Sequence, residues 1–495
     1  MLFSYAHRSQ PIYLLLVEKR IMPDCFEILH KDLAGRIGRL RTPHGTVETP
    51  ALMPVVNPHL QIIPAPELGQ MGGSMLITNS YIIRQDETLR VQALEKGLHS
   101  LLGFQGPIMT DSGAFQLSVY GNIDVQPLEI LDFQFAIQSD VCVPLDIPTP
   151  PDVTRERAAT ELKETERRLD ESLGNKGTSL LAGPIQGSTY MDLREAAARF
   201  LRDKGFDVYP IGGVVPLMET YRFGDLVDVV AAAKKGLGSG APVHLFGAGH
   251  PMVFALAAAM GCDLFDSAAY ALYAREGRYL TPRGTWRLEE IRYLPCSCPV
   301  CQGHTPEELI ENPERSKLLA KHNLYVSLQE IKLVKQCIRE GSLWELLETR
   351  CRSHPRMVDG FRRLIEKSDW LESLDSSSKS TLFYLSSESA SRPEVIRYGS
   401  RMGRLKLSGD VLITDDIKTK DEGFDTVLHF KPPFGPYPAD LAETYPLNAE
   451  VPAKADKAAM ERALSNTKKL MDANPEVRFS LRIKGLTREK NDQVL

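Results

Sequence analysis

The sequence predicts an α/β protein, a (β/α)8 TIM-type barrel followed by a small C-terminal α/β domain. Three observations predict it. Eight short apolar runs alternate with helix-like stretches between about residues 49 and 270. Nearly every run ends on a polar residue or a glycine. A Cys296-Ser-Cys298-Pro-Val-Cys301 cluster follows this long α/β segment, so it can be set against one architecture.

The first four runs are Ala51-Leu-Met-Pro-Val-Val56, Met75-Leu-Ile-Thr-Asn79, Pro107-Ile-Met-Thr-Asp111 and Val141-Cys-Val-Pro-Leu-Asp146. The next four are Ser179-Leu-Leu-Ala-Gly-Pro-Ile-Gln186, Asp207-Val-Tyr-Pro-Ile-Gly212, Pro242-Val-His-Leu-Phe-Gly247 and Cys262-Asp-Leu-Phe-Asp266. Helical patterns occupy 86–102, 126–138, 152–172, 191–204, 221–235 and 251–260. Continuous apolar runs separated by helices are parallel strands buried on both faces. A doubly wound open sheet is the rival, but no G-x-G-x-x-G follows the first strand. In a barrel the strand C-terminal ends converge on one mouth, where active sites sit. Each end residue taken singly is equally a turn residue. Three aspartates and a glutamine at strand ends together argue for a site.

The chain has 495 residues, a net charge of −5, 43% hydrophobic and 25% charged residues. That is ordinary soluble composition, with no global basic field to announce a nucleic-acid partner. The run Pro11-Ile-Tyr-Leu-Leu-Leu-Val17 is too short to span a bilayer and lacks a cleavage pattern. Residues 1–21 read as a loose tail or a mis-assigned start, and the location as cytoplasmic, with no membrane partner.

Thiolates spaced C-x-C-x-x-C supply three ligands of a tetrahedral Zn²⁺ site from one turn. On spacing the fourth is His304 or His322. Disulfides are the alternative, disfavoured by eight cysteines in a long chain with no secretory signal. Cys25, Cys142, Cys262, Cys337 and Cys351 read as buried or incidental thiols. After a helical pattern at 325–368, Ser373–Ser380 reads as a linker. Strands are expected at Val411–Thr414 and Thr426–Phe430. Arg392, Arg397, Arg401, Arg404 and Lys406 form a basic stretch, read either as a solvated helix face or as a phosphate-binding surface.

Several motifs then fall into one register. Thr110-Asp-Ser-Gly-Ala-Phe-Gln-Leu117, Pro184-Ile-Gln-Gly187, Tyr209-Pro-Ile-Gly-Gly213, Leu264-Phe-Asp-Ser267 and the cysteine cluster resemble the tRNA-guanine transglycosylases over roughly residues 22–350. Tyr209–Leu217, His244-Leu-Phe-Gly-Ala-Gly-His250 and Asp266-Ser-Ala-Ala-Tyr-Ala resemble the archaeal, archaeosine-type branch. The resemblance implies exchange of a D-loop guanine (position 15) of tRNA for 7-cyano-7-deazaguanine, without a nucleotide cofactor. Base exchange with retained configuration at C1′ needs two displacements, hence a nucleophile and an acid/base group.

The resemblance implies Asp266 as nucleophile and Asp111 as acid/base, although the residues alone leave the two roles interchangeable. It implies Asp146 and Gln186 as readers of the base edge and Phe115 as a stacking platform. Ser112, with the backbone near Gly213 and Val214, completes the pocket. It also implies one structural zinc per chain on Cys296, Cys298, Cys301 and His322, and a homodimer sharing one tRNA surface. The implied division is a catalytic barrel at 22–370, its zinc-binding insertion at about 290–325, and an accessory domain at 381–495. Many archaeal members continue into a PUA domain. The chain ends at Leu495 without room for one, so either a separate polypeptide supplies it or the D-loop is reached differently. The same two carboxylates would serve a transglycosylase for another 7-deazaguanine or a barrel N-glycosidase.

Overall fold

A computed structural model of the chain describes residues 25–114, 126–175, 177–419 and 423–484; the expected tail at 1–21 lies outside them. The chain opens with an antiparallel sheet, β1 (Phe26–Asp32), β2 (Gly35–Thr42) and β3 (Gly45–Thr49). Eight parallel strands follow: β4 (Ala51–Val56), β5 (Leu76–Asn79), β6 (Ile108–Asp111), β7 (Val141–Cys142), β8 (Leu180–Leu181), β9 (Tyr209–Ile211), β10 (Val243–Leu245) and β11 (Leu264–Ser267). They are hydrogen-bonded in the order β8-β7-β6-β5-β4-β11-β10-β9. Bridges Ala182↔Val208 and Ile185↔Ile211 join the two end strands and close the ring. The (β/α)8 barrel expected from the eight runs is the fold.

Several strands are short for a local reason. Pro144, Pro184 and Pro210 fall in or just beyond β7, β8 and β9, and proline brings no N–H to a ladder. Closure there rests on single contacts, such as Gly183 N to Val208 O at 2.8 Å and Ile185 N to Pro210 O at 2.7 Å.

Helices fill the predicted intervals, among them Glu87–Lys96, Pro127–Ala136, Arg155–Ser172, Met191–Lys204, Phe223–Leu237 and Pro251–Ala259. Helix 155–172 buries Ala158, Leu162, Thr165 and Leu169, one stripe at helical spacing, and Thr154 caps it by accepting from Arg157 N at 3.3 Å. Helix 251–259 is buried throughout because helices Arg315–Glu340 and Leu343–Cys351 cover its outer side. No helix among the described residues is long and apolar enough to cross a membrane.

The barrel interior is packed, not hollow. Ala51, Met53, Met75, Met109, Val141, Ala182, Val208 and Leu264 form one cluster with Phe26, Leu40 and Val47 of the first sheet. Those three side chains stopper the N-terminal end. Buried Arg36 fixes the plug through a bidentate contact with Asp263, at 2.7 and 2.6 Å.

After a short hairpin of β12 (Arg278–Thr281) and β13 (Gly284–Arg287), the C-terminal part holds β14 (Asp410–Thr414), β15 (Thr426–Lys431), β16 (Gly435–Pro438) and β17 (Arg478–Arg482), one sheet in the order β16-β15-β14-β17. The expected linker carries no regular structure from Asp375 to Ser380, and although Ser377, Ser378 and Ser380 are exposed, the side chains of Asp375 and Lys379 are buried. Lys379 Nζ lies 2.6 Å from Asp32, 3.0 Å from Asp375 and 2.7 Å from Glu394, all buried. Two members of the basic stretch are likewise internal. Arg392 pairs with Glu345 at 2.7 Å and Glu394 at 3.1 Å, and Arg397 with Glu372 at 2.6 Å. Both readings of that stretch fail for these two residues, which are buried and paired with carboxylates, Glu394 close in sequence and Glu345 and Glu372 far from them. Arg401, Arg404 and Lys406 remain exposed.

Removing one partner from a buried ion cluster strands the others. Lys379→Met should therefore destabilise the protein by about 3–5 kcal/mol. Urea unfolding near neutral pH checks this; an unchanged midpoint would contradict the assignment.

Candidate active site

The strand C-terminal ends surround a cavity of about 1050 Å³. Asp111, Asp146, Gln186, Gly213 and Asp266 line it together. Asp111 ends β6, where Asn79 Nδ2 approaches its Oδ2 at 3.3 Å and Ser80 Oγ donates to its carbonyl at 2.7 Å. Burial pushes the Asp111 carboxyl up to about 7; the negative charge of Asp146 adds to the rise, and Asp266 adds less. Asp146 accepts from Gln186 Nε2 at 2.6 Å. Burial pushes Asp146 up to about 6, against the lowering effect of that hydrogen bond and of the Arg168 and Arg194 charges.

Gln186 Oε1 is buried without a hydrogen-bond partner among the described residues. The side chain is pressed against a backbone that must be glycine. A Cβ on Gly212 would lie 2.1 Å from Gln186 Nε2, and one on Gly213, at φ +68°, would lie 2.7 Å from Thr149 O. Asp266 lies in β11. Its Oδ1 accepts from His244 Nε2 at 2.8 Å and from Gly247 N at 2.7 Å.

Two expected pocket residues lie behind the wall. Ser112 and Val214 are buried but do not line the cavity, and Val214 packs in the main core. Phe115 lies outside the described residues.

Two functional-site residues had no assigned role in the sequence. Arg194, fully buried on helix 191–204, donates Nε to Ser188 O at 2.8 Å and Nη1 to Ile185 O at 2.6 Å. It thereby holds the chain on both sides of Gln186, and burial lowers its own guanidinium to about 9. In Met191-Asp-Leu-Arg-Glu-Ala it reads as an ordinary surface arginine. His244 is the second; it opens the His244–His250 motif, but nothing in that motif assigns its side chain a task.

Cys296, Cys298, Cys301 and His322 bring one ligand atom each within 4.8 Å of one another. His322 Nδ1 lies 3.5 Å from Cys298 Sγ and 3.3 Å from Cys301 Sγ. Its Nε2 donates to Leu280 O at 3.0 Å, which leaves the Nδ1 lone pair facing the sulfurs. Three thiols and a correctly oriented imidazole suit a tetrahedral ion, so this group could hold a metal. His304 instead contacts Val300 O at 2.9 Å and is no part of it. None of the four residues lines the cavity.

A second group, His44, His99 and Asp140, is a hydrogen-bonded staple at the barrel base. Each ring meets an Asp140 oxygen at 3.0 Å. The rings stack with centroids 3.6 Å apart, too close to diverge from one ion.

A family model described as queuine tRNA-ribosyltransferase matches residues 32–356. The tRNA-guanine(15) transglycosylase of Methanosarcina barkeri is 58% identical over 93% of this chain and 94% of its own length. The proteins of the same name from Methanosarcina mazei and Haloarcula marismortui are 57% and 54% identical, over 93% and 92% of this chain and 94% of their own lengths. A closed parallel barrel, three carboxylates at its mouth and a Cys3His cluster beside it are thus joined to a match across most of the chain, which belongs to the queuine tRNA-ribosyltransferase family.

Proposed function

We propose that this chain replaces the guanine at position 15 in the D-loop of tRNA with 7-cyano-7-deazaguanine, a step towards archaeosine. The carrying observation is the convergence of Asp111, Asp146, Gln186 and Asp266 on one largely buried cavity. Asp266 attacks C1′ as the bond from C1′ to the departing guanine breaks, and Asp111 gives that guanine a proton. The ester between Asp266 and C1′ is then displaced by the incoming base, whose proton returns to Asp111. Two inversions retain the configuration.

Asp146 and Gln186 read the base edge, since a carboxylate accepts from ring and amine N–H groups and an amide can do either. Phe115 stacks on the base, the backbone at Gly213 shapes the pocket wall, and Ser112 and Val214 support it from behind. Arg275, Arg278 and Arg283 at the cavity edge suit tRNA phosphates. The target base must leave its stack to reach Asp266. The chain works as a cytoplasmic homodimer, with residues 22–370 as catalytic barrel and 381–495 as accessory domain. One zinc ion on Cys296, Cys298, Cys301 and His322 supplies cross-linking of the insertion, not chemistry.

The direct test uses unmodified tRNA labelled in guanine 15. Addition of 7-cyano-7-deazaguanine should release the label, and Asp266→Asn should abolish release. Release that survives this substitution, or release without incorporation of the new base, overturns the reading.

Asp111 sets a pH dependence. Its carboxyl is raised from 3.8 to about 7 in the folded chain, so the fold binds this proton more tightly than the unfolded chain does. That contribution is complete at low pH and is lost as pH rises through the folded value. Asp111→Asn should be inactive, yet more resistant to urea than the parent at about pH 8 by on the order of a few kcal/mol, with the difference closing at about pH 4. Loss of the proton donor should also slow label release above about pH 7 in the parent protein.

Cys298→Ala should lose its metal, as read by elemental analysis, and lower the melting temperature. Exchange should fall only as far as the folded fraction falls. A metal-free, stable and fully active Cys298→Ala protein would contradict the structural role.

A further inference from the structure

Asp266 is held by one oxygen only. Oδ1 takes both hydrogen bonds, from His244 Nε2 and Gly247 N. Among the described residues, none is given to Oδ2. Two donors on one oxygen fix the rotation of the carboxylate plane. They also draw negative charge toward Oδ1 and leave Oδ2 unencumbered in a residue that lines the cavity.

His244 is itself over-determined. It sits in β10 with its backbone paired to Leu264 on one side and Pro210 on the other. Its side chain is fully buried, and the Phe246 ring lies against it at 4.4 Å between centroids. Among the described residues, its buried Nδ1 has no hydrogen-bond partner. A proton on Nδ1 would have nothing to bond to, whereas a proton on Nε2 meets a carboxylate oxygen. The ring is therefore the Nε2–H tautomer, a donor with one target. Gly247, at φ +67°, turns the chain so that its N–H meets the same oxygen, and a Cβ there would strike Val215 Cγ2 at 2.4 Å.

We infer that His244 is a positioning residue for the base exchange: its Nε2–H, with Gly247 N–H, anchors Oδ1 of Asp266 so that Oδ2 is the atom that attacks C1′. The inference rests on Asp266 being the nucleophile. Binding of tRNA and of the free base does not pass through His244, since it lies behind the carboxylate. Misplacing a nucleophile by about 1 Å costs roughly 100-fold in rate.

The test compares two amides at this position in the full-length protein. Glutamine places its Nε2 where the imidazole Nε2 lies; asparagine is too short to reach. His244→Asn should slow formation of the covalent tRNA adduct roughly 100-fold, with KM for tRNA unchanged. His244→Gln should restore most of that rate. Equal rates for the two variants, whether both fast or both slow, would overturn the inference, because a merely space-filling role does not depend on reach. Adduct formed by Asp266→Asn would instead sink the nucleophile assignment itself.

A measurement without substitution at His244 stands beside these. In protein labelled with ring-15N histidine, His244 should be protonated on Nε2 and bare on Nδ1, and its Nε2–H signal, unlike that of His322, should move on Asp266→Asn. A bare Nε2, or a signal indifferent to Asp266, would overturn the inference even if neither His244 variant folds.

Discussion

Eight parallel strands satisfy their backbone groups without an exposed edge only by closing on themselves, and everything at the active mouth follows from that closure. The seam is thin. Between the β8 and β9 segments it consists of two bridges and a few hydrogen bonds, because Pro184 and Pro210 cannot donate there. The seam is nonetheless where Gln186 and Gly212–Gly213 meet. The same prolines that shorten the ladder release the chain early, so Gln186 turns into the cavity instead of continuing a strand. At the opposite end the interior would lie open, and Phe26, Leu40 and Val47 fill it.

A cavity lined by three carboxylates, two of them buried, is electrostatically expensive, and each is accommodated differently. Asp111 rises to about 7 and so keeps its proton for much of the time. Asp146 is given an amide N–H from Gln186 and has the positive charge of Arg194 behind it. Asp266 receives two donors on one oxygen. One group poised to hold a proton and one held as an acceptor are what acid/base and nucleophilic roles demand of neighbouring carboxylates. The division comes from local donors, not from the residue type, which is Asp in all three cases.

This explains what the sequence could and could not reveal. Strands β4–β11 were legible because runs buried on both faces are apolar throughout, as in Met75-Leu-Ile, and the aspartates were legible because they end those runs. The first sheet was not, since Phe26-Glu-Ile-Leu-His-Lys-Asp shows only weak alternation and nothing in it says that Phe26 plugs a barrel. Arg194, Arg392 and Arg397 look like surface charge because most of their partners are backbone carbonyls or carboxylates far along the chain, Glu394 beside Arg392 excepted. Glu345 lies 47 residues from Arg392. His244 escaped for a related reason: a polar residue inside an apolar run acquires meaning only when the neighbouring strand places Asp266 beside it.

The Cys3His cluster is physically linked to the cavity although it lies outside it. His322 donates to Leu280 O and stacks on Tyr279 at 3.6 Å between centroids, and the Tyr279 hydroxyl meets Cys301 Sγ at 3.3 Å. Asn323, the next residue, holds Leu280 N at 2.9 Å and Arg278 O at 3.0 Å. Those partners belong to a short hairpin, β12 (Arg278–Thr281) and β13 (Gly284–Arg287), whose Arg278, Arg283 and Gly284 form part of the cavity edge. The long helix 315–340 that carries His322 also packs on β1, β2 and β4. A tetrahedral cross-link at His322 therefore fixes the hairpin to the same helix that braces the barrel. Slack in the cluster would be felt first in the folding of the hairpin and its packing on this helix, so a metal held there would act through the fold and leave the bond-breaking groups to the strands.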